Sequence, residues 1–118
     1  TFGGNPMAMK IGSEVFDIVS NKSFLRNIKK NSAYFHYQLN KIKERFPKLI
    51  KEVRGRGFLI GLQLYMDQTK FIQQLMKHKL LTIRAAENVI RILPPLNVKK
   101  NELDLALKII DKVCSQYK

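Results

Sequence analysis

The sequence predicts an α+β domain in which helices cover one face of a small three-stranded antiparallel sheet. Apolar residues recur every three or four positions in four separate stretches, which is typical of amphipathic helices. Between these stretches, apolar residues alternate with other residues through positions 58–64, and two short β-branched runs flank a tight turn near position 86. The helical and the strand patterns together occupy only 118 residues, a length that indicates one domain with one core.

The chain is predicted to begin with a loop over residues 1–6, followed by the domain itself over residues 7–118. Asn5 can cap free backbone N–H groups, and Pro6 suits the first position of a helix, so the pair is a strong helix start. The first predicted helix extends to about Ser20. Its apolar stripe comprises Met7, Ile11, Val15 and Ile18.

The second helix has the clearest periodicity in the chain. Ser23 is its predicted N-cap, and Pro47 ends it or lies just beyond its last turn. Alternating steps of three and four residues predict one apolar stripe that packs on the core. The stripe comprises Leu25, Ile28, Ser32, Phe35, Leu39, Ile42 and Phe46.

Within residues 53–64, one strand is predicted to follow the glycine pair Gly55 and Gly57. Gly61 lies on one face, where it allows close approach of a neighbour. The glycine pair Gly55 and Gly57 lacks the third glycine of a nucleotide-binding fingerprint, and a strand follows where the phosphate-binding helix would begin. We therefore exclude a nucleotide-binding fingerprint here. The other face carries, by period two, Phe58, Ile60, Leu62 and Leu64.

A third helix, capped by Asp67, is predicted next. Residues 80–83 and 89–93 are strand candidates, and the connection between them at residues 85–88 is so short that the two strands should pair antiparallel. The buried stripe of the third helix comprises Phe71, Ile72, Leu75 and Met76.

The last predicted helix begins near Asn101, which has capping-box spacing with Asp104. Its apolar face comprises Leu103, Ala106, Leu107, Ile110, Val113, Cys114 and Tyr117. Cys114 is therefore expected to be a core or half-buried thiol, and a single cysteine fits a reducing, cytoplasmic location. Two isolated histidines and one cysteine predict no metal site.

One arginine, Arg91, interrupts the apolar strand that stops at Pro94-Pro95. A guanidinium in such a strand needs water or an anionic partner, because an unpaired buried charge is costly. Arg91 therefore either faces solvent from the polar side of an edge strand or grips the carboxylate of a ligand in a two-pronged fork. Spacing alone leaves both alternatives open.

The net charge of +13 raises the alternative of a nucleic-acid-binding domain. The lysines are scattered, however, and no nucleic-acid motif or aromatic ladder accompanies them. No apolar run approaches the roughly 20 residues that span a bilayer, so no membrane association is expected.

Three segments together resemble one family: Thr1-Phe-Gly-Gly-Asn-Pro-Met-Ala8, Val53-Arg-Gly-Arg-Gly-Phe-Leu-Ile-Gly61 and Val89-Ile-Arg-Ile-Leu-Pro-Pro-Leu96. Their order and spacing are similar to those of the class III aminotransferases, which are pyridoxal-phosphate enzymes of fold type I. Within that family the chain looks most like the acetylornithine aminotransferases of arginine biosynthesis. The resemblance covers essentially all 118 residues and implies the C-terminal small domain of such an enzyme.

The resemblance implies two site residues. Thr1 matches the threonine that binds the phosphate of pyridoxal 5'-phosphate across the interface of a homodimer. Arg91 matches the arginine that binds the α-carboxylate of the amino-acid or 2-oxoacid substrate. Gly55, Gly57 and Gly61 match structural glycines of the family.

The resemblance also implies what this chain lacks. The family's cofactor-binding lysine, the aspartate that pairs with the pyridine nitrogen and the residues that sandwich the ring belong to the large domain. None of those motifs occurs here, so the chain contains no predicted catalytic residue and should not catalyse transamination alone. It is expected to act with a large domain or, alternatively, to be a truncated stand-alone remnant or binding domain.

One stretch departs from the family pattern. Arg84-Ala85-Ala86 occupies the turn where relatives usually carry glycines. Small residues other than glycine suit that turn only if it requires no positive φ at their positions.

Overall fold

The fold begins with two consecutive helices and continues with a sheet interrupted by a third helix. We analysed a computed structural model that describes residue 1 and residues 3–117; Phe2, part of the predicted loop, and Lys118 lie outside the described residues. The elements are α1 (Pro6–Ser20), α2 (Lys22–Arg45), β1 (Ile50–Arg56), β2 (Leu59–Leu64), α3 (Thr69–Lys77), β3 (Ile83–Arg84), β4 (Val89–Ile92) and α4 (Lys100–Cys114), followed by a 3-10 turn at Ser115–Tyr117.

The sheet has the order β1-β2-β4-β3, and each neighbouring pair is antiparallel. The predicted α+β class is confirmed, but the predicted count of three strands is wrong because the sheet has four. The strand that was not predicted is β1, which precedes the turn at Gly57. Residues 53–64 contribute to two strands, joined at the pair Arg56 and Leu59 by the two-residue turn Gly57-Phe58.

Phe58 explains why the hairpin was missed. The Phe58 side chain is buried although the residue lies in the turn before β2. The alternation of buried residues in β2 therefore continues into the turn, and the sequence pattern does not show that the chain reverses there. Gly57 supplies the positive φ of 58° that suits the first position of such a tight turn. The His36 ring nitrogen Nε2 lies 3.0 Å from the Gly57 carbonyl oxygen and ties the turn to α2.

The core lies between one face of the sheet and helices α2, α3 and α4. The predicted stripes of α2 and α4 are confirmed over most of their length, although Leu25 at the start of α2 is exposed. In α3, Phe71 and Leu75 are buried as predicted, whereas Met76 is exposed. The second hairpin is also confirmed as antiparallel, although β3 contains only Ile83–Arg84 and residues 80–82 lie outside it. The sheet contributes to the core Ile50, Ile60, Leu62, Leu64, Ile90 and Ile92.

Helix starts follow the predicted capping chemistry in α1 but not in α2. The Asn5 side chain accepts a hydrogen bond from the Ala8 backbone N–H at 3.1 Å, as predicted. In α2 the cap is Asn21 and not Ser23, because the Asn21 oxygen accepts from the backbone of both Ser23 and Phe24. The predicted second cap is therefore wrong by two residues.

The later caps also differ from prediction in detail. The N-cap residue of α3 is Gln68, one position after the predicted Asp67. Asp67 accepts from the Thr69 backbone N–H at 2.8 Å, and hydrogen bonds from the side chain and the backbone of Thr69 lower the pKa of Asp67. At α4 the predicted pair of Asn101 and Asp104 is wrong. Glu102 accepts from the Lys99 backbone N–H at 2.7 Å instead, which satisfies the free donor at that helix end.

Helix α1 packs along α2. None of its residues is buried, and its predicted apolar stripe is exposed, with Met7 at 73% and Ile11 at 52%. The radius of gyration is 16.8 Å, compared with about 13.5 Å for a compact domain of this length. Within the described residues, no helix has both the length and the apolar character needed to cross a bilayer.

Candidate functional site

The side of the sheet away from the helices is open. Because side chains alternate along a strand, the residues between the core positions of β1, β2 and β4 point to this side. They form an open cleft of about 570 Å³. Its lining includes Arg54, Arg56, Gly61, Glu87, Val89 and Arg91. We call this surface the arginine face.

Arg91 lies near the middle of the arginine face. It is exposed, and β4 is an inner strand flanked by β2 and β3, so the alternative of an edge strand is wrong. Its register partner in β2 is Gly61 and its partner in β3 is Ile83. Among the described residues no carboxylate pairs with the Arg91 guanidinium, which remains available to an anionic group.

Gly61 forms the floor of the cleft between two arginines. Arg54 in β1 and Arg91 in β4 are both register partners of Gly61, so the three residues form one row across the sheet. A Cβ atom on Gly61 would lie 3.0 Å from Val89 Cγ1 and 3.4 Å from Arg54 Cγ. The absence of a side chain here therefore lets Arg54 and Val89 lie close over the strand.

Arg54, unlike Arg91, already has protein partners. One guanidinium nitrogen lies 3.1 Å from Glu87 Oε2, and another lies 3.9 Å from Glu52 Oε2. Both pairs are partly exposed, so each contributes little to stability by itself. Their effect on the cleft is electrostatic, because they neutralise one of the two guanidinium groups beside Gly61.

Glu87 occupies an unusual backbone conformation. Glu87 and Asn88 have φ values of 59° and 58°, and the Val89 N–H donates to the Ala86 carbonyl at 3.2 Å, which closes a tight turn between β3 and β4. The neighbouring Ala85 and Ala86 do not have positive φ. The departure from the family's glycine pattern therefore fits the turn, because the left-handed positions lie immediately after the two alanines.

A second contact holds the same turn. The buried Gln63 side chain donates from Nε2 to the Glu87 carbonyl oxygen at 3.1 Å. A left-handed conformation at a glutamate costs about 1 kcal/mol or more. The side chain and the carbonyl of Glu87 are each held by a different strand, which stabilises this conformation.

Sequence reasoning identified Arg91 and the close approach at Gly61 but missed Arg54, Glu87 and Gln63. These residues lie in three separate segments, and only the strand register brings them together. A usable signal existed at Gly57. A glycine inside a strand pattern often marks a turn or bulge, and a hairpin there would have placed Arg54 beside Gly61.

Thr1, the other predicted site residue, does not join Arg91. Thr1 is exposed, precedes α1, and does not line the cleft that contains Arg91. The Gly3-Gly4 turn lies between it and the helix start. Any shared role for Thr1 and Arg91 therefore requires residues from elsewhere in an assembly.

The Cys114 thiol and the Asp104 carboxyl group both have shifted pKa values that arise from their contacts within the fold. Burial raises the pKa of the Cys114 thiol to about 12, so the predicted core thiol is confirmed and is a poor nucleophile. Hydrogen bonds from Tyr34 and Lys100 lower the pKa of Asp104 and connect α2 with α4. In the described part of the chain, no group of three or more histidine, cysteine, aspartate or glutamate residues could hold a metal ion.

One protein-family model matches nearly the whole sequence of this chain. The family model described as "Aminotransferase class-III" matches residues 1–114. The chain belongs to the class III aminotransferase family. The resemblance seen in three short motifs thus extends over nearly the full sequence, including both hairpins of the arginine face.

Individual relatives agree with this class III assignment. Acetylornithine aminotransferase 2 of Caulobacter vibrioides is 40% identical over 114 residues, covering 97% of this chain and 28% of that protein. The crystal structure of acetylornithine aminotransferase from Elizabethkingia anophelis superposes with a TM-score of 0.88 at 28% identity, covering 98% of this chain and 30% of the other.

An ornithine aminotransferase from Plasmodium yoelii gives a TM-score of 0.90 at 27% identity, covering 100% of this chain and 32% of that one. This class III chain therefore spans less than a third of the length of these relatives. Its fold is that of one portion of a full-length aminotransferase.

Proposed function

We propose that this chain acts as the C-terminal small domain, residues 7–118, of a pyridoxal-phosphate-dependent aminotransferase of the acetylornithine type. Residues 1–6 would be the loop that leaves the large domain. The observation that carries the proposal is Arg91, an exposed guanidinium that has no carboxylate partner in the part of the chain that the structure describes. The chain matches the class III family along residues 1–114.

Arg91 would hold the substrate carboxylate. The cleft around it is open to solvent, so a flat carboxylate group can approach the exposed guanidinium. Arginine presents a planar set of donors that matches two carboxylate oxygens, which orients an amino-acid or 2-oxoacid substrate as well as binding it. In the intact enzyme, the arginine face would close over the substrate.

The described residues fit the cofactor only in part. Thr1 offers an exposed hydroxyl before a glycine turn and a helix start, which suits the phosphate group. None of the described lysines lines the cleft that contains Arg91, so a covalent attachment point for the cofactor would come from outside this surface. Bound pyridoxal phosphate supplies the electron sink for transamination, and the chain alone is proposed to be inactive.

The partner would be a large domain of the same enzyme, within a homodimer. The total accessible surface of 8386 Å² exceeds the roughly 6,600 Å² typical of a compact monomer of this mass. Helix α1 exposes Met7 and Ile11 on one face and Met9 and Phe16 on the opposite face. Exposed apolar side chains on a helix are typical of a surface that is covered in an assembly.

Substitution of Arg91 in the full-length protein tests this proposal. Arg91→Lys keeps the charge but loses the planar fork, so KM for the amino donor should rise at least about tenfold with a smaller change in kcat. The matched control is Arg84→Lys, because Arg84 pairs with Asp67 and does not line the cleft. Equal KM values for the wild type and Arg91→Lys would refute the assigned role.

The stand-alone alternative is tested separately by blotting cells with an antibody raised against this chain. A band several times heavier than 13.7 kDa supports a domain of a larger enzyme. A band near 13.7 kDa would support a remnant or binding domain without transaminase activity.

A further inference from the structure

The two arginines beside Gly61 differ in their ion pairing, and the proposed carboxylate site does not explain this difference. Two guanidinium groups flank the same glycine. Arg54 is paired with Glu87 at 3.1 Å, whereas Arg91 has no carboxylate partner among residues 1 and 3–117. A small anion in the cleft between Arg54 and Arg91 would otherwise contact both arginines. Glu87 competes with that anion for Arg54.

We propose that Glu87 is a specificity-determining residue of this cleft: by occupying Arg54, it limits an anion between Arg54 and Arg91 to one arginine contact and thereby favours a single carboxylate over a dianion such as phosphate. The inference rests on the proposed role of Arg91 and deepens it. It adds a residue that acts through Arg54 and does not itself contact the substrate.

The backbone supports this role. Glu87 is held at φ 59°, a conformation that costs free energy for a glutamate, and it is the residue at this turn whose carboxylate reaches Arg54. Gln63 holds the Glu87 carbonyl from the adjacent strand. A turn built only for a tight reversal would be more favourable with glycine or asparagine at this position.

The charges around Arg54 come from several elements. Glu52 on β1 lies farther from the guanidinium, at 3.9 Å, than Glu87 on the β3–β4 turn. Arg56 also lines the cleft but pairs with Leu59 in the register, two positions away from the pair of Arg54 and Gly61. Arg56 is unchanged in the experiment below, so its contribution cancels between variants.

Binding of two simple anions to the 118-residue chain tests the inference. Acetate and inorganic phosphate, mostly dianionic at about pH 8, are titrated at constant ionic strength, and the arginine Nε–H signals of Arg54 and Arg91 are followed by NMR. In the wild type, acetate should shift the Arg91 signal and leave Arg54 nearly unchanged. In Glu87→Gln, both signals should respond, and the affinity for phosphate relative to acetate should rise about threefold.

Two further variants serve as controls for backbone strain and for net charge. Glu87→Asn removes the same charge as Glu87→Gln but also lowers the conformational strain at this position, because asparagine adopts positive φ more easily than glutamine. If the charge decides, it should shift the phosphate-to-acetate ratio in the same direction as Glu87→Gln. Glu14→Gln removes an equal charge from the remote Lys10–Glu14 pair of α1 and should leave the ratio unchanged.

The outcomes distinguish this inference from the proposed function. If acetate shifts Arg91 in the wild type but the ratio is the same in Glu87→Gln, or if Arg54 already responds in the wild type, the role of Glu87 is overturned and that of Arg91 stands. If Arg91 responds to neither anion in any variant, the carboxylate role of Arg91 is overturned, and the inference about Glu87 falls with it.

Discussion

Gly61 lies directly opposite Arg91 in the β2–β4 ladder, so the strand position beside the guanidinium carries no side chain. This relationship creates the floor of the arginine face. It also connects the stability of the sheet to access to Arg91, because a side chain added at Gly61 would press on Val89 and Arg54.

Gly61→Ala should therefore destabilise the fold and narrow the cleft. The added Cβ would meet Val89 Cγ1 at 3.0 Å, and the buried Val89 must move to accept it, at a cost of about 1 kcal/mol. Urea unfolding measures the cost, and acetate titration at Arg91 measures the loss of access. Gly12→Ala, where no atom lies within 4 Å of the new Cβ, is the control. Unchanged stability and acetate binding in Gly61→Ala would contradict the close packing over this strand.

The first hairpin makes a sharper prediction at Gly55. A Cβ atom there would lie only 2.0 Å from the Leu59 carbonyl oxygen, and the φ of 129° is rarely adopted by other residues. Gly55→Ala should cost about 3 kcal/mol or more, since the backbone of the hairpin must shift. Gly57→Ala, with a φ of 58° and open space around it, should cost only about 1 kcal/mol. Similar urea midpoints for the two variants would argue against this hairpin geometry.

The contact between α2 and α4 should depend on pH. Tyr34 donates a hydrogen bond to Asp104 and is the largest cause of the lowered pKa of that carboxyl group. A lowered folded-state pKa adds stability above the ordinary value of 3.8, and this stability is lost as the pH falls through the folded-state value. Tyr34→Phe should therefore lower the urea midpoint at pH 7, with a smaller difference from wild type at about pH 2.5.

The control for the pH experiment is Tyr37→Phe. Tyr37 is exposed on the same helix and contacts Lys41 through its ring, 4.5 Å from the ammonium nitrogen. The Tyr37 hydroxyl is not bonded to Asp104. The difference in urea midpoint between Tyr37→Phe and the wild type should therefore be the same at both pH values. A Tyr34→Phe effect that is equally large at both pH values would show that packing and not the carboxylate is responsible.

Helix α1 should be the least protected helix of the isolated chain. None of its residues is buried, and a helix of 15 residues has little stability without tertiary packing. Its amides should exchange with deuterium about a hundredfold or more faster than those near Leu39 and Ile42 in α2, which are buried. Mass spectrometry of the exchanging chain measures this difference. Equal protection in the two helices would show that α1 is covered by self-association.

Local patterns predicted most of the secondary structure. The stripes of α2 and α4 are confirmed because a helix places residues three and four positions apart on one face, whatever surrounds it. The Asn5 cap is confirmed for the same reason, since its bond to Ala8 lies within one turn. The caps at Ser23 and Asn101 were wrong because several neighbouring residues can accept the same free N–H groups.

The arginine face was only partly predictable. Arg91 was identifiable as an arginine in an apolar strand, and the family pattern assigns it a role. Its exposure on an inner strand depends on β2 and β3 lying on either side of it, which no local pattern specifies. Arg54 and Glu87 are separated by 33 positions, and the strand register alone brings their charges to 3.1 Å.

The sequence by itself determined the α+β class, the helix faces, the membership of Cys114 in the core and the family to which the chain belongs, because each follows from residues close together or from motifs in order. Only the tertiary structure decided the fourth strand, the pairing of Arg54 with Glu87 and the open cleft beside Arg91. Those features depend on which strands pair and in which register. Register is a property of the whole sheet, since a shift by one residue moves every side chain to the opposite face.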